Sequence, residues 1–339
     1  MARLFLENSK DNPVMTSKKT NLDKNLLVQM YKDMLFWRRF EEAVNQAYMK
    51  QKFSGFCHLY IGQEALGVGV QACLTPEDYM ISAYRSHTQA IGKGIDAKFV
   101  FAELFGKIDG CARGKGGSMH MFSKEHRFLG GHGIVGGQVP IATGVGFAIR
   151  YRKENNLCVC YLGDAAANQG QFFEALNMAA TWKLPVLFII ENNKYGMGTD
   201  IRRTTSVDKL WKRALAFDMP HSEVDGLDVL KVYEHTQKVV ADIRQTKMPH
   251  LMEAHTYRCR GHSVSDPATY RTKEEVKEYQ EKDCIKVHGN HLVKSKFATE
   301  DELKQWDKDI KEQVKAAEKF ADESPLPSEE EATMHNYVD

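Results

Sequence analysis

Residues 157–199 constrain the fold more than any other stretch of this chain. Two short apolar runs alternate there with a helical pattern and two polar loops. Residues 157–162 (LCVCYL) and 185–191 (PVLFIIE) are rich in Val, Ile, Leu, Phe and Cys. Each is bounded by turn or polar residues, as buried parallel strands are. Between them, residues 171–182 carry Phe172, Leu176 and Ala179 at helical spacing. The pattern predicts a βαβ unit with a right-handed crossover. Asp164 follows the first strand and Asn193 the second, so a carboxylate and an amide reach one sheet edge. Open α/β sheets bind ligands at that edge.

Asp and Asn oxygens are hard ligands suited to Mg²⁺ or Ca²⁺, and Mg²⁺ leaves coordination positions for phosphate oxygens. Gly163, Ala165, Ala166 and Ala167 let the backbone approach a phosphate at a helix start. A tight βα turn and a separate Asn-rich turn explain the two pieces singly. Their combination favours a metal-bridged diphosphate.

The string GDAAANQGQFFEALNMAATWKLPVLFIIENNKYGMGT resembles the thiamine-diphosphate motif of the 2-oxo acid dehydrogenase family. The likeness is strongest to the alpha chains of its two-chain members, and runs from about residue 27 to the Pro-rich tail. It implies an α/β thiamine-diphosphate-binding fold, a mainly parallel sheet flanked by helices, with helical N- and C-terminal extensions. It also implies that Asp164, Asn193 and the backbone carbonyl of Tyr195 ligate Mg²⁺, while Gly163, Ala165 and Ala166 line the diphosphate. Ala165 stands where the family has Gly, which puts an extra methyl near the phosphates.

Three other constellations carry chemistry. Tyr84-Arg85-Ser86-His87 follows an expected strand at 79–83, and an Arg there can chelate phosphate through two parallel hydrogen bonds. Taken alone, Arg85 reads as a surface residue in an aromatic turn; the resemblance places Tyr84 and Arg85 on the diphosphate. His132-Gly133-Ile134-Val135-Gly136-Gly137 reads as a glycine loop with an apolar wall, and glycines permit close backbone approach. The resemblance gives backbone groups of Gly133 and Val135 the aminopyrimidine side of the cofactor. Arg260-Gly261-His262-Ser263-Val264-Ser265-Asp266-Pro267 resembles the family's mobile active-site loop. It implies that His262 lies beside the diphosphate and the reacting carbon, where an imidazole can protonate or hydrogen-bond a developing enolate. His58 matches the second substrate-side histidine, and Ser263 a regulatory phosphorylation position.

Length and composition fit an enzyme subunit. The 339 residues suffice for one large α/β domain with extensions, and 42% hydrophobic residues can fill its core. A net charge of +1 leaves no electrostatic footprint for nucleic acid. No apolar stretch approaches the ~20 residues that span a bilayer. The N-terminal string MARLFLENSKDNP lacks an apolar signal core and carries Glu7 and Asp11, so a cytoplasmic bacterial protein is the simplest reading and a processed organellar form the alternative. The seven cysteines are odd in number and include no C-x-x-C, which favours reduced packing residues.

The expected organisation is a mobile segment over 1–20, a diphosphate-type α/β domain over 21–325 and a polar tail over 326–339. Helices are expected at 22–50 (capped by Thr20 or Asn21), 62–74, 140–150 and 227–245, and another after a capping box at 299–302. Residues 106–117 and 130–137 read as glycine-rich loops, 249–257 as a strand and 258–272 as a polar loop.

The resemblance implies oxidative decarboxylation of pyruvate with reductive acetylation of lipoamide. Acetoin and branched-chain 2-oxo acids are the competing substrates; GKGGSMHMF and GHSVSDP favour pyruvate or acetoin. It implies a beta subunit that supplies the Glu activating the aminopyrimidine, an α₂β₂ heterotetramer, and the lipoyl domain of a dihydrolipoyl acyltransferase core as a further partner. A nicotinamide enzyme is the rival cofactor class, since residues 67–72 fit G-x-G-x-x-A. That string has no preceding strand and lies in a helical pattern, so it fails its context. A non-enzymatic scaffold is the other rival, and the joint presence of Asp164, Asn193, Arg85 and His262 argues against it.

Overall fold

The computed structural model describes residues 23–334. Its strands are β1 (Tyr79–Ala83), β2 (Phe128–His132), β3 (Cys158–Gly163), β4 (Val186–Asn192), β5 (Tyr195–Gly196), β6 (Thr199–Asp200), β7 (His221–Asp225) and β8 (His250–His255). Six of these form one sheet in the order β2-β1-β3-β4-β8-β7, with every neighbouring pair parallel, while β5 and β6 make a small hairpin. The helices are α1 (Lys24–Met49), α2 (Glu64–Gln71), α3 (His87–Gly92), α4 (Ala97–Leu104), α5 (Gln138–Tyr151), α6 (Gly170–Trp182), α7 (Val229–Thr246), α8 (Lys273–Glu281), α9 (Cys284–Lys294) and α10 (Glu300–Glu323). No helix among the described residues is long and apolar enough to cross a membrane.

The central strands read as continuous apolar runs because both sheet faces are covered. Val159 and Tyr161 on β3 join a core with α1, α2, α4, α7 and α10, whereas Cys158, Cys160 and Leu162 join a second core with α5 and α6. All seven cysteines are free, as expected. The extensions meet each other: α10 opens with the expected Thr299–Glu302 capping box and packs on α1 and α4.

Chain direction locates the site. From β1 the chain adds β2 on one side, then returns to place β3 on the other. The crevice between the carboxyl ends of β1 and β3 is therefore a topological switch point, where ligands bind in open α/β sheets.

Several expectations change. Residues 130–132 belong to β2 rather than to a loop. Gly130 at φ +96° makes the pairing of β2 with β1 irregular, and a Cβ there would fall 2.2 Å from the Phe122 ring, so the glycines serve an edge strand. β7 was missed because His221-Ser-Glu-Val-Asp225 is a polar edge strand with one buried residue. Helix α7 begins two residues late because the Asp228 side chain caps it, and α2 covers only the middle of the expected 62–74. Asp23 caps α1; the expected caps Thr20 and Asn21, like the segment 1–20, lie outside the described residues. Helices α8 and α9 occupy the stretch between the 258–272 loop and α10. The tail is not merely polar: Glu331 is buried against Arg113 at 2.5 Å and Lys115 at 3.2 Å.

Candidate active site

Asp164 leaves β3 at the switch point and is 2% exposed. Its Oδ1 accepts from the Ala165 N–H at 2.7 Å, while its buried Oδ2 has no hydrogen-bond partner. Burial raises the carboxyl to about 6, offset in part by the Ala165 N–H, Arg258 and the Lys194 N–H. Asn193 leaves β4 beside it, and Lys194 follows in the left-handed region at φ +74°. That turn aims the Asn193 side chain and the Tyr195 carbonyl at one guanidinium: Arg258 Nη1 lies 3.4 Å from Asn193 Oδ1 and 3.2 Å from Tyr195 O. The spot thus already holds positive charge, and an unpartnered carboxylate oxygen needs a cation. No group of three His, Cys, Asp or Glu among the described residues could hold a metal. The oxygen set of one carboxylate, one amide and one carbonyl suits a hard cation instead.

Across the crevice, Arg85 follows β1 and is buried at 6% exposure. Its Nη1 donates to the Leu59 carbonyl at 2.5 Å and its Nη2 to the His262 carbonyl at 2.9 Å. Burial and the nearby Arg258 lower this guanidinium to about 10. Two neighbouring guanidinium groups bonded mainly to neutral oxygens form a cradle for an anion.

Tyr84, His58 and His262 close the same space. The His58 ring lies 4.4 Å from Tyr84 and 5.1 Å from His262, centre to centre. Burial first, then Arg85, lowers His58 to about 2 and His262 to about 4, so both are neutral at neutral pH. Nδ1 of each ring is buried without a partner.

The remaining expected residues sit around this centre. Gly163 ends β3, and Ala165 and Ala166 start the turn into α6. The Ala165 methyl is directed at Gly196, where a Cβ would approach it to 2.4 Å. Gly133 and Val135 lie past the end of β2, one strand beyond Arg85, and the Val135 carbonyl accepts from Gln171 Nε2 at 3.2 Å. Ser263 shares a 3.1 Å hydroxyl contact with Ser265. Its loop is tied by Asp266, which accepts from the His262 N–H at 2.6 Å, the Ala268 N–H at 2.8 Å and the Tyr270 hydroxyl at 2.8 Å.

Sequence reasoning missed the supports. Gln63 Oε1 accepts from Asn193 Nδ2 at 3.3 Å, which turns Asn193 Oδ1 toward the cage. Tyr60 donates to Glu191 at 2.6 Å, and burial raises that carboxyl to about 7. The glycine-rich loop at 106–117 wraps the buried Glu103 carboxylate, which accepts from the N–H groups of Ala112, Gly114, Gly116 and Gly117 at 2.7–3.0 Å. Only the string GKGG hinted at this nest; nothing local identified Glu103 as its anion.

Comparison with known proteins shows the family of the chain. Pyruvate dehydrogenase E1 component subunit alpha of Rickettsia bellii (strain RML369-C) is 47% identical over 315 residues, which cover 93% of this chain and 97% of the relative. The subunit of the same name from Zymomonas mobilis subsp. mobilis (strain ATCC 31821 / ZM4 / CP4) is 49% identical over 314 residues, covering 91% of this chain and 88% of the relative. The chloroplastic subunit alpha-3 of Arabidopsis thaliana is 43% identical over 338 residues, covering 96% of this chain and 79% of the relative. The family model described as Dehydrogenase E1 component matches residues 32–330, so the chain belongs to the dehydrogenase E1 component family, whose members depend on thiamine diphosphate.

Proposed function

We propose that this chain is the alpha-type half of a pyruvate-decarboxylating E1 component, working with thiamine diphosphate and Mg²⁺. The observation that carries the reading is the pairing, at one switch point, of the unpartnered Asp164 Oδ2 with the carboxylate-free Arg85 guanidinium. One needs a cation and the other an anion, and a metal diphosphate supplies both.

In this reading Asp164 Oδ2, Asn193 Oδ1 and the Tyr195 carbonyl hold Mg²⁺. Arg85 and Tyr84 face the diphosphate, with the backbone of Gly163, Ala165 and Ala166 beneath it. Gly133 and Val135 take the aminopyrimidine side. The cofactor, when bound, supplies a nucleophilic carbon and an electron sink for loss of CO₂. The protein supplies position and electrostatics. Neutral His262 and His58 offer unpartnered ring nitrogens at the substrate side, ready to donate or accept a hydrogen bond as charge develops on the substrate oxygen.

A beta-type partner completes the site. Ile134, Val135, Ile141, Phe147, Tyr151, Met178 and Trp182 are exposed along the exit of β2 and on α5 and α6. Phe147 packs 5.7 Å from Trp182 and stacks on Tyr151. Contiguous apolar surface of this kind supports protein contact, and we assign it to an α₂β₂ assembly. The lipoyl domain of an acyltransferase core is the proposed acyl acceptor. Steady-state turnover of the co-expressed assembly with pyruvate, acetoin and branched 2-oxo acids tests the assignment. A preference for pyruvate is expected, and a preference for either competitor overturns it.

A further inference from the structure

We propose that Glu41, His87 and Ser118 form a buried relay that positions the substrate side of the site; this rests on the functional reading above. The ring Nδ1 of His87 lies 3.0 Å from Glu41 Oε2, and its Nε2 lies 2.8 Å from Ser118 Oγ. Glu41 is 1% exposed, His87 0% and Ser118 8%. The other Glu41 oxygen accepts from the Tyr60 N–H at 3.0 Å. Burial raises the thiol of Cys57, the residue before His58, and Ser118 partly offsets that rise.

The relay ties together three segments that no stretch of sequence connects. Glu41 holds 57–61, which carries His58. His87 closes the turn that carries Tyr84 and Arg85. Ser118 opens the Ser-Met-His string at the end of the Glu103-anchored loop, and His120 from that string lies against Gly133, where a Cβ would come within 3.2 Å of its ring.

With a neutral imidazole its polarity follows from the Glu41 carboxylate. A carboxylate only accepts, so a neutral His87 carries its hydrogen on Nδ1. Nε2 then accepts from the Ser118 hydroxyl. Glu41→Gln keeps the shape and reverses the order. Tyr60 N–H can only donate, so the new amide carbonyl stays with it and the NH₂ faces Nδ1. The imidazole hydrogen moves to Nε2, and Ser118 becomes an acceptor whose own hydrogen is released from His87.

The test is a double-mutant cycle on the chain co-expressed with its beta-type partner. Glu41→Gln and Ser118→Ala should each lower kcat/KM for pyruvate about tenfold, a loss typical of small displacement at a reacting centre. Thiamine-diphosphate affinity should stay within about twofold, since neither residue faces the diphosphate cage. The double variant should be no worse than Ser118→Ala alone, because Glu41 acts through Ser118. Ser118→Thr, which restores a hydroxyl, should recover most of the loss. Multiplying losses in the double variant, or full activity in Glu41→Gln, overturns the relay. Hydrogen exchange gives a readout independent of turnover. His87→Phe should raise exchange at 57–61, 84–87 and 117–120 together, and a rise confined to 84–87 contradicts the proposal. Wild-type complex that fails to use pyruvate, together with a His87→Phe variant that shows the joint exchange response, would strike the functional reading and leave the relay standing.

Discussion

The imidazoles of His58 and His262 meet edge to face at 5.1 Å, although one precedes α2 and the other lies in the loop before α8. Their environment keeps both uncharged. Burial lowers His262 from 6.5 to about 4 and His58 to about 2. The unfolded chain therefore binds these protons at higher pH than the folded chain does, and stability rises with pH in that window. The contribution of this pair is complete above about pH 6.5 and declines as pH falls toward 4, while the raised carboxyls of Asp164 and Glu191 act in the opposite direction in the same window. In thermal melts across this range, His262→Gln should make the decline shallower. A pH profile left unchanged by His262→Gln would contradict the buried, neutral pair.

Asp164→Ala or Asn193→Ala should abolish Mg²⁺-dependent thiamine-diphosphate binding, because few protein ligands hold such a cation and each carries a large share. Isothermal titration of the assembled protein measures it; unchanged affinity in both variants would sink the assignment. Wild-type affinity should also weaken as pH drops below about 6, where protons compete for the Asp164 carboxylate.

Thiamine diphosphate with Mg²⁺ should protect the loop 258–272 from limited proteolysis. Its present anchors are Asp266, the Arg258–Tyr270 bond, and backbone bonds from Cys259 to Ile61 and from Val264 to Cys57. A diphosphate beside His262 would add a further one. Equal cutting with and without cofactor would count against this. Ser263→Glu should lower activity by placing negative charge near the diphosphate.

Glu103→Ala should destabilise the chain by about 3 kcal/mol or more, because the N–H groups of Ala112, Gly114, Gly116 and Gly117 lose a buried acceptor. Urea unfolding measures the shift in midpoint, and a midpoint within error of wild type would refute the nest.

How much the sequence disclosed depends on the physical origin of each signal. β3, α6 and β4 were legible because strands buried on both faces are apolar throughout and the helix between them keeps its period. Asp164 and Asn193 were legible because strand ends fix where they emerge. β2 and β7 were not: glycine at positive φ mimics a loop in one, and an edge position makes the other polar. Gln63, Glu103 and the Glu41–His87–Ser118 relay left no local trace, since each is defined by a partner brought near only in three dimensions. The resemblance pointed to His58, which the structure brings against His262, and is the source of the proposed roles of Gly133 and Val135, for which spacing alone offered a structural residue and a loop.

The central claim is that these residues build only the diphosphate half of a shared active site. On the proposed reading, cofactor held at that end alone leaves its aminopyrimidine without an activating carboxylate from the partner, so positioned acid–base help is missing. The direct measurement is decarboxylation of pyruvate, with an artificial electron acceptor, by the purified 339-residue chain and by the co-expressed complex. The account predicts turnover only from the complex; turnover by the single chain at the rate of the complex would contradict it.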